Sequence, residues 1–287
     1  MVEVSRLEHV QTLVKEGDTV NIGLEAAASA LGLLGSTDSP NAERADRLAR
    51  ASGHVMQRLS EIFVRLSFLH WLRRQFADSE GSELWRPFAS LVVKDFHSDV
   101  ASLMDSVTPM IILIDNELKK DDRDKPPSFA DILAGSKRTY RTLLADDVRA
   151  LVDATASWWP AVKNVRDSLI HRKHYRIVFG NPQAGFYFQV YSHDDTALID
   201  DAILKAPTGT QIVDFSLYSV WVVSEIIYFF DMLGEILAIR YSLPKELLVV
   251  GGRKGDARPF LVVLQELIRR AGTDRGMSAQ PGAAQAG

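Results

Sequence analysis

Two long stretches with the hydrophobic period of an α-helix dominate what this chain can become. Residues 41–76 contain no proline and one glycine, Gly53, and Leu48, Val55, Leu59, Ile62, Leu66 and Leu69 recur there at helical spacing as one apolar stripe. Asn41 or Ser39 is the expected cap of that helix. After a break at 77–81 a second stripe runs through Phe88, Leu91, Val92, Phe96, Val100, Leu103, Val107, Ile111, Ile114 and Leu118. The period survives on both sides of Pro109, which predicts a kink rather than an end. Two such helices joined by a short turn predict a long antiparallel hairpin.

The charged, proline-rich run 119–127 reads as a linker. Helices resume at Ser128, a good cap with Asp131 three residues on, and are expected over 129–144 and 147–171, with Pro160 marking a break or kink. The period then changes. Residues 175–179 and 186–191 are short aromatic and β-branched runs separated by Gly180, Asn181, Pro182 and Gly185, which predicts a β-hairpin, with a third strand near 211–215. An apolar helix over 215–239 and a last helix over 259–270 follow, and the tail from Gly272 is expected to be disordered. The expected fold class is mainly α, a long-helix antiparallel bundle with a small inserted β-hairpin. Its parts are an N-terminal helical or loop segment (1–40), the bundle (41–174), the β insertion (175–214), closing helices (215–271) and the tail (272–287).

Several function classes are excluded by composition. With no cysteine there is no disulfide framework, zinc finger, iron–sulfur cluster or thiol nucleophile. An apolar content of 46% at a net charge of −4 excludes a disordered chain. Residues 215–239 are long enough to cross a bilayer, but Glu225, Asp231 and Glu235 inside the stretch would each be costly there, so a buried core helix is expected. The opening MVEVSRLEHV lacks the apolar run of a secretory signal, which predicts a cytoplasmic protein with no membrane partner. Gly251, Gly252, Arg253 and Lys254 have neither the spacing nor the hydroxyl of a Walker loop, and there is no His-Glu-x-x-His.

In a chain that is acidic overall, KNVRDSLIHRKHYR (163–176) is a positive island: Lys163, Arg166, Arg172, Lys173 and Arg176 with His171 and His174, against the single acid Asp167. Such an island attracts phosphate. Arg166-Asp167-Ser168-Leu169-Ile170-His171 resembles the signature of the HEPN superfamily, an arginine and a histidine four to six residues apart with a polar residue often following the arginine. Arg65 with His70 and Arg47 with His54 match the bare spacing too. Both lie inside the first long helix without the Arg-Asp dipeptide, and five residues turn the first of these pairs by about 140° around the axis.

The resemblance implies a metal-independent endoribonuclease acting as a homodimer on RNA, with a composite groove across a two-fold axis. It makes His171 the acid/base, a role suited to a group that titrates near neutrality. Arg166 becomes the phosphate clamp, and Asp167 or Ser168 orients the pair. Arg172, Lys173, His174 and Arg176 would hold the RNA backbone without reading sequence. Defence or stress response is the implied biology, with an unknown antitoxin as a possible partner. No cofactor and no metal is expected: His171 and His174 are three apart, as ligands on one turn could be, but no third ligand lies near them in sequence.

Plainer roles remain open for the same residues. Arg166 could pair with an acid on a neighbouring helix, and His171 could cap a helix end. Trp158 and Trp159 are expected to pack the helix, with base stacking as the lesser alternative, and Glu225 and Asp231 are candidates to answer Arg166 or the basic island. At the level of the whole protein, the alternatives are a non-catalytic helical interaction module and a phosphate- or nucleotide-binding protein.

Overall fold

The computed structural model describes residues 2–15, 19–37, 41–76, 84–115, 127–134, 144–171, 178–181, 185–189, 199, 201–205, 212–244, 252–253 and 257–278. In chain order the elements are α1 (Val4–Leu13), β1 (Val14–Lys15), β2 (Thr19–Val20), α2 (Gly23–Gly35), α3 (Ala42–Gln75), α4 (Trp85–Asp115), α5 (Phe129–Leu133), α6 (Asp146–Ala154), α7 (Trp159–His171), β3 (Val178–Asn181), β4 (Gly185–Gln189), β5 (Ile212–Asp214), α8 (Phe215–Arg240), β6 (Gly252–Arg253) and α9 (Arg258–Ser278). The fold is mainly α with small antiparallel β elements, as the periodicity predicts.

The two long stripes become α3 and α4. Contacts that run forward along α3 run backward along α4: Ser52 meets Met110, and Arg65 meets Asp95 and Asp99, so the helices are antiparallel. Pro109 lies inside α4 without ending it. Asn41 occupies the cap position of α3, but its side chain makes no capping hydrogen bond. Phe88 and Leu91, assigned above to the buried stripe of α4, are half exposed; the buried stripe runs instead through Trp85, Ala89, Val92, Val93 and Phe96.

α8 is the axis of the core. It is strongly apolar and buried almost throughout from Phe215 to Leu237, with Glu225 and Asp231 on one polar edge. α1, α2, α6, α9 and β4 pack around it. Asp214, the last residue of β5, starts the helix by accepting from the backbone N–H groups of Ser216 (2.8 Å) and Leu217 (3.3 Å). No helix among the described residues is long and apolar enough to cross a membrane. α2 crosses α8 backbone to backbone: a Cβ on Gly234 would fall within the van der Waals surface of Gly23 and Leu24.

The expected hairpin is β3 paired with β4, and β5 adds the third strand, giving the order β3-β4-β5. Gly185 opens β4 at φ +125°, a conformation that favours glycine. Phe186 and Phe188 alternate inward along β4. Phe186 stacks on Trp85 at 5.0 Å, and Phe188 lies among His97, Phe215 and Tyr218, so the sheet is clamped onto the bundle. Within that aromatic cluster His97 is fully buried. Its Nδ1 is 2.7 Å from the Val93 carbonyl, which can only accept, so Nδ1 carries the proton and Nε2 accepts from the Tyr218 hydroxyl at 3.0 Å. Burial pushes the Tyr218 phenol up, which keeps it a donor. Replacing Tyr218 with Phe strands a buried acceptor and is expected to cost about 1–3 kcal/mol in denaturant unfolding.

Other differences have local causes. A second small sheet, β1-β2-β6, was not foreseen; its strands are two residues long and carry no period. Gly252 and Arg253 serve as its edge. Ser128 makes the capping box with Asp131 (3.2 Å from Asp131 N–H, 3.1 Å from Ser128 N–H to Asp131), but α5 ends at Leu133 and residues 135–143 lie outside the described set. The expected helix over 147–171 is divided by a 3₁₀ turn at Thr155–Ser157. Pro160 then falls in the first turn of α7, where its missing N–H has no helical acceptor to lose. α9 continues through Ser278, so residues 272–278 of the expected disordered tail are helical. The linker at 119–125 lies outside the described residues.

Candidate functional site

α7 positions the part of the basic island that is described. Trp159, Val162, Val165 and Leu169 recur at three- and four-residue steps and are buried, so this face fixes the helix on α4. Trp158 and Trp159 meet edge to face at 5.8 Å, and Trp159 also abuts Phe129, which makes them packing residues rather than exposed stacking platforms. Lys163, Arg166 and Asp167 flank the buried face at about one-third to two-fifths exposure.

These three form one charge network. Lys163 Nζ donates to Asp167 Oδ2 at 2.7 Å, and Arg166 Nη1 donates to Asp167 Oδ1 at 2.9 Å. Burial works against the Asp167 charge, but hydrogen bonds from Lys163 and Arg166 outweigh it and hold the carboxyl below its ordinary range. Arg166 is therefore paired with an acid of its own helix. Two cations against one acid leave this patch net positive. Ser168, offered as an orienting alternative to Asp167, is buried.

His171 is the last residue of α7. Its backbone thus continues the helix from Arg166, and five residues at 100° each set the two positions about 140° apart and about 7.5 Å along the axis. This is the same separation that divides Arg65 from His70, so angle does not distinguish the two pairs. Both arginines are paired: Arg65 with Asp95 and Asp99 across the hairpin, Arg166 with Asp167 on its own helix. Arg172, Lys173, His174 and Arg176 lie outside the described residues.

A groove of about 680 Å³ opens between α5 and α6–α7, walled by Ser128, Asp131, Asp153, Trp159, Lys163 and Asn164. Its size is that of a small-molecule site. Among the described residues its wall carries the carboxylates of Asp131 and Asp153 and the single cation Lys163, a poor seat for phosphate. No group of three or more metal-ligating side chains occurs among the described residues.

Among the described residues, Glu225 and Asp231 pair with Arg6 and His9 rather than with the basic island. They face α1, and sequence order gave no sign of it because the partners stand more than 200 positions away. Arg6 Nη1 donates to Glu225 Oε2 at 2.6 Å, and His9 Nε2 donates to Asp231 Oδ2 at 2.7 Å. Tyr228 lies between them, under the Arg6 guanidinium at 5.3 Å and against the edge of His9 at 5.4 Å. Asp231 Oδ1 also accepts from Gly23 N–H at 2.7 Å and so holds the start of α2. Burial pushes the Glu225 carboxyl up, and Arg6 opposes it.

No family model, characterised protein or solved structure matches this chain.

Proposed function

We propose that the protein is a HEPN-like RNA-binding protein that cleaves RNA without a metal ion, as a homodimer. The observation that carries this reading is the half-exposed network on α7, in which Asp167 is held ionised between Lys163 and Arg166 on the helix that ends at His171. Arg166 has the planar fork that grips phosphate oxygens. His171 takes the proton from a ribose 2′-OH. As the 2′-oxygen bonds to phosphorus, the P–O5′ bond breaks and the 5′-oxygen leaves with a returned proton, giving a 2′,3′-cyclic phosphate and a 5′-hydroxyl. Because Arg166 and His171 diverge around their shared helix, a groove served by both residue types is most readily built from two copies. The run from Arg172 to Arg176 adds backbone-binding charge.

Incubation of the purified protein with a mixed RNA pool in EDTA tests the proposal. Wild type is expected to leave cyclic-phosphate ends, and His171→Ala to lower the rate about 100-fold or more with folding unchanged. Equal RNA stability with wild type and His171→Ala would remove the nuclease reading. A second reading, the helical interaction module without catalysis, is favoured by one observation: large apolar side chains stand exposed on the outer face of α3 and α4.

A further inference from the structure

We infer that the outer face of the α3–α4 hairpin is a self-association surface on which a second copy of this chain docks. On α3, Val64, Phe68 and Trp71 are 64%, 42% and 44% exposed; Leu84, in the turn just ahead of α4, and Phe88 and Leu91 on α4 are 70%, 50% and 55% exposed. The α3 trio follows i, i+4, i+7 and is one ridge along the helix, directed away from the stripe that packs the core, and Phe88 and Leu91 stand likewise on the first turns of α4. The two ridges stand at the same end of the hairpin. Arg65 reaches both Asp95 and Asp99, so with antiparallel axes Trp71 comes level with Leu91. Phe68 and Trp71 already stack on one another at 5.6 Å and form a pre-ordered aromatic surface.

Area and charge select the occupant. At ~150–250 Å² for a whole large side chain, these exposures leave roughly 600 Å² of apolar surface, at the upper limit of the largest patch on an ordinary monomer. Two copies meeting there would bury roughly 1,200 Å², where specific interfaces begin. Beside the ridges Arg65 is paired with both Asp95 and Asp99 across the hairpin, and Arg73 and Arg86 are turned onto the rings of Phe186 and Trp85. A face whose cations are engaged in this way offers an anionic membrane or nucleic acid little, whereas its apolar ridges fit those of a second copy. None of the six residues lies on α7, so the inference stands whether or not RNA is cleaved.

Size-exclusion chromatography with light scattering on the full chain tests it. Wild type at micromolar concentration is expected at twice the chain mass of 31.9 kDa. Phe68→Glu with Leu91→Glu should halve that mass while helical circular dichroism and unfolding midpoint stay as in wild type, because both positions face solvent in the single protomer. Should that variant fold poorly, Trp71→Lys with Leu84→Lys repeats the test. A dimer that persists in both variants overturns this surface and leaves the homodimer proposed above; a monomeric wild type overturns both. Monomeric wild type that co-sediments with phosphatidylcholine–phosphatidylglycerol vesicles, and loses this in the variants, overturns it in favour of a lipid surface.

Discussion

Gly234→Ala should prevent stable folding, with a loss of roughly 4 kcal/mol or more in urea unfolding of whatever protein remains soluble. The added methyl has nowhere to go. It would meet the backbone of Gly23 and Leu24, not a side chain that can turn aside. A Cβ on Gly23 is blocked in the same crossing, 2.7 Å from the Asp231 carbonyl oxygen. Separating α2 from α8 to make room would also pull Gly23 N–H from Asp231 Oδ1 and expose Leu24, Ala27 and Leu31. Gly53→Ala is the matched control. Gly53 is exposed in the middle of α3 with nothing within 4 Å of a new Cβ, so the substitution should stabilise by about 0.5–1 kcal/mol through helix propensity. Equal behaviour of the two variants would show that the α2–α8 crossing is looser than its geometry.

Arg6→Met should cost about 3 kcal/mol, because it leaves Glu225 charged and buried without its partner. The loss should depend on pH with a defined sign. Burial already sets the folded-state Glu225 carboxyl above its unfolded range, and removal of Arg6 raises it further. A carboxyl raised in the folded state favours folding below its unfolded pKa, and this contribution disappears as pH rises through the folded value. The deficit of Arg6→Met is therefore smaller at pH 5 than at pH 8. Adding Glu225→Met removes the stranded charge and should restore most of the loss at both pH values, since apolar replacements of a buried pair are commonly near neutral. A deficit that is flat with pH, or unrelieved in the double variant, would assign Arg6 a packing role alone.

How far the chain could be read from its letters depends on the range of the interaction. α3, α4 and α8 were legible because period and length are local properties, and so were the Ser128–Asp131 box and the three strands of the β insertion. Phe88 and Leu91 were misplaced because a hydrophobic pattern marks apolar positions without saying which of them the core has room for. The short strands β1, β2 and β6 have too few residues to show a period. At the candidate site, the sequence located the charge cluster and the Arg166–Asp167 dipeptide, but not that Asp167 would draw both Lys163 and Arg166 to itself. Glu225 and Asp231 were candidates to answer Arg166 or the basic island; among the described residues they pair with Arg6 and His9, which only the fold brings near.

The seam between α1 and α8 has a consequence for synthesis on the ribosome. Arg6 leaves the exit tunnel 219 positions ahead of Glu225, and His9 precedes Asp231 by 222. At ~5–20 residues per second this is a wait of roughly 10–45 s, during which α1 lacks its partners on α8. α1 is thus made long before it can be locked, and closure must occur after α8 has emerged. Nascent chains halted before that point should carry an undocked leader open to proteases or chaperones, while released full-length chains should not.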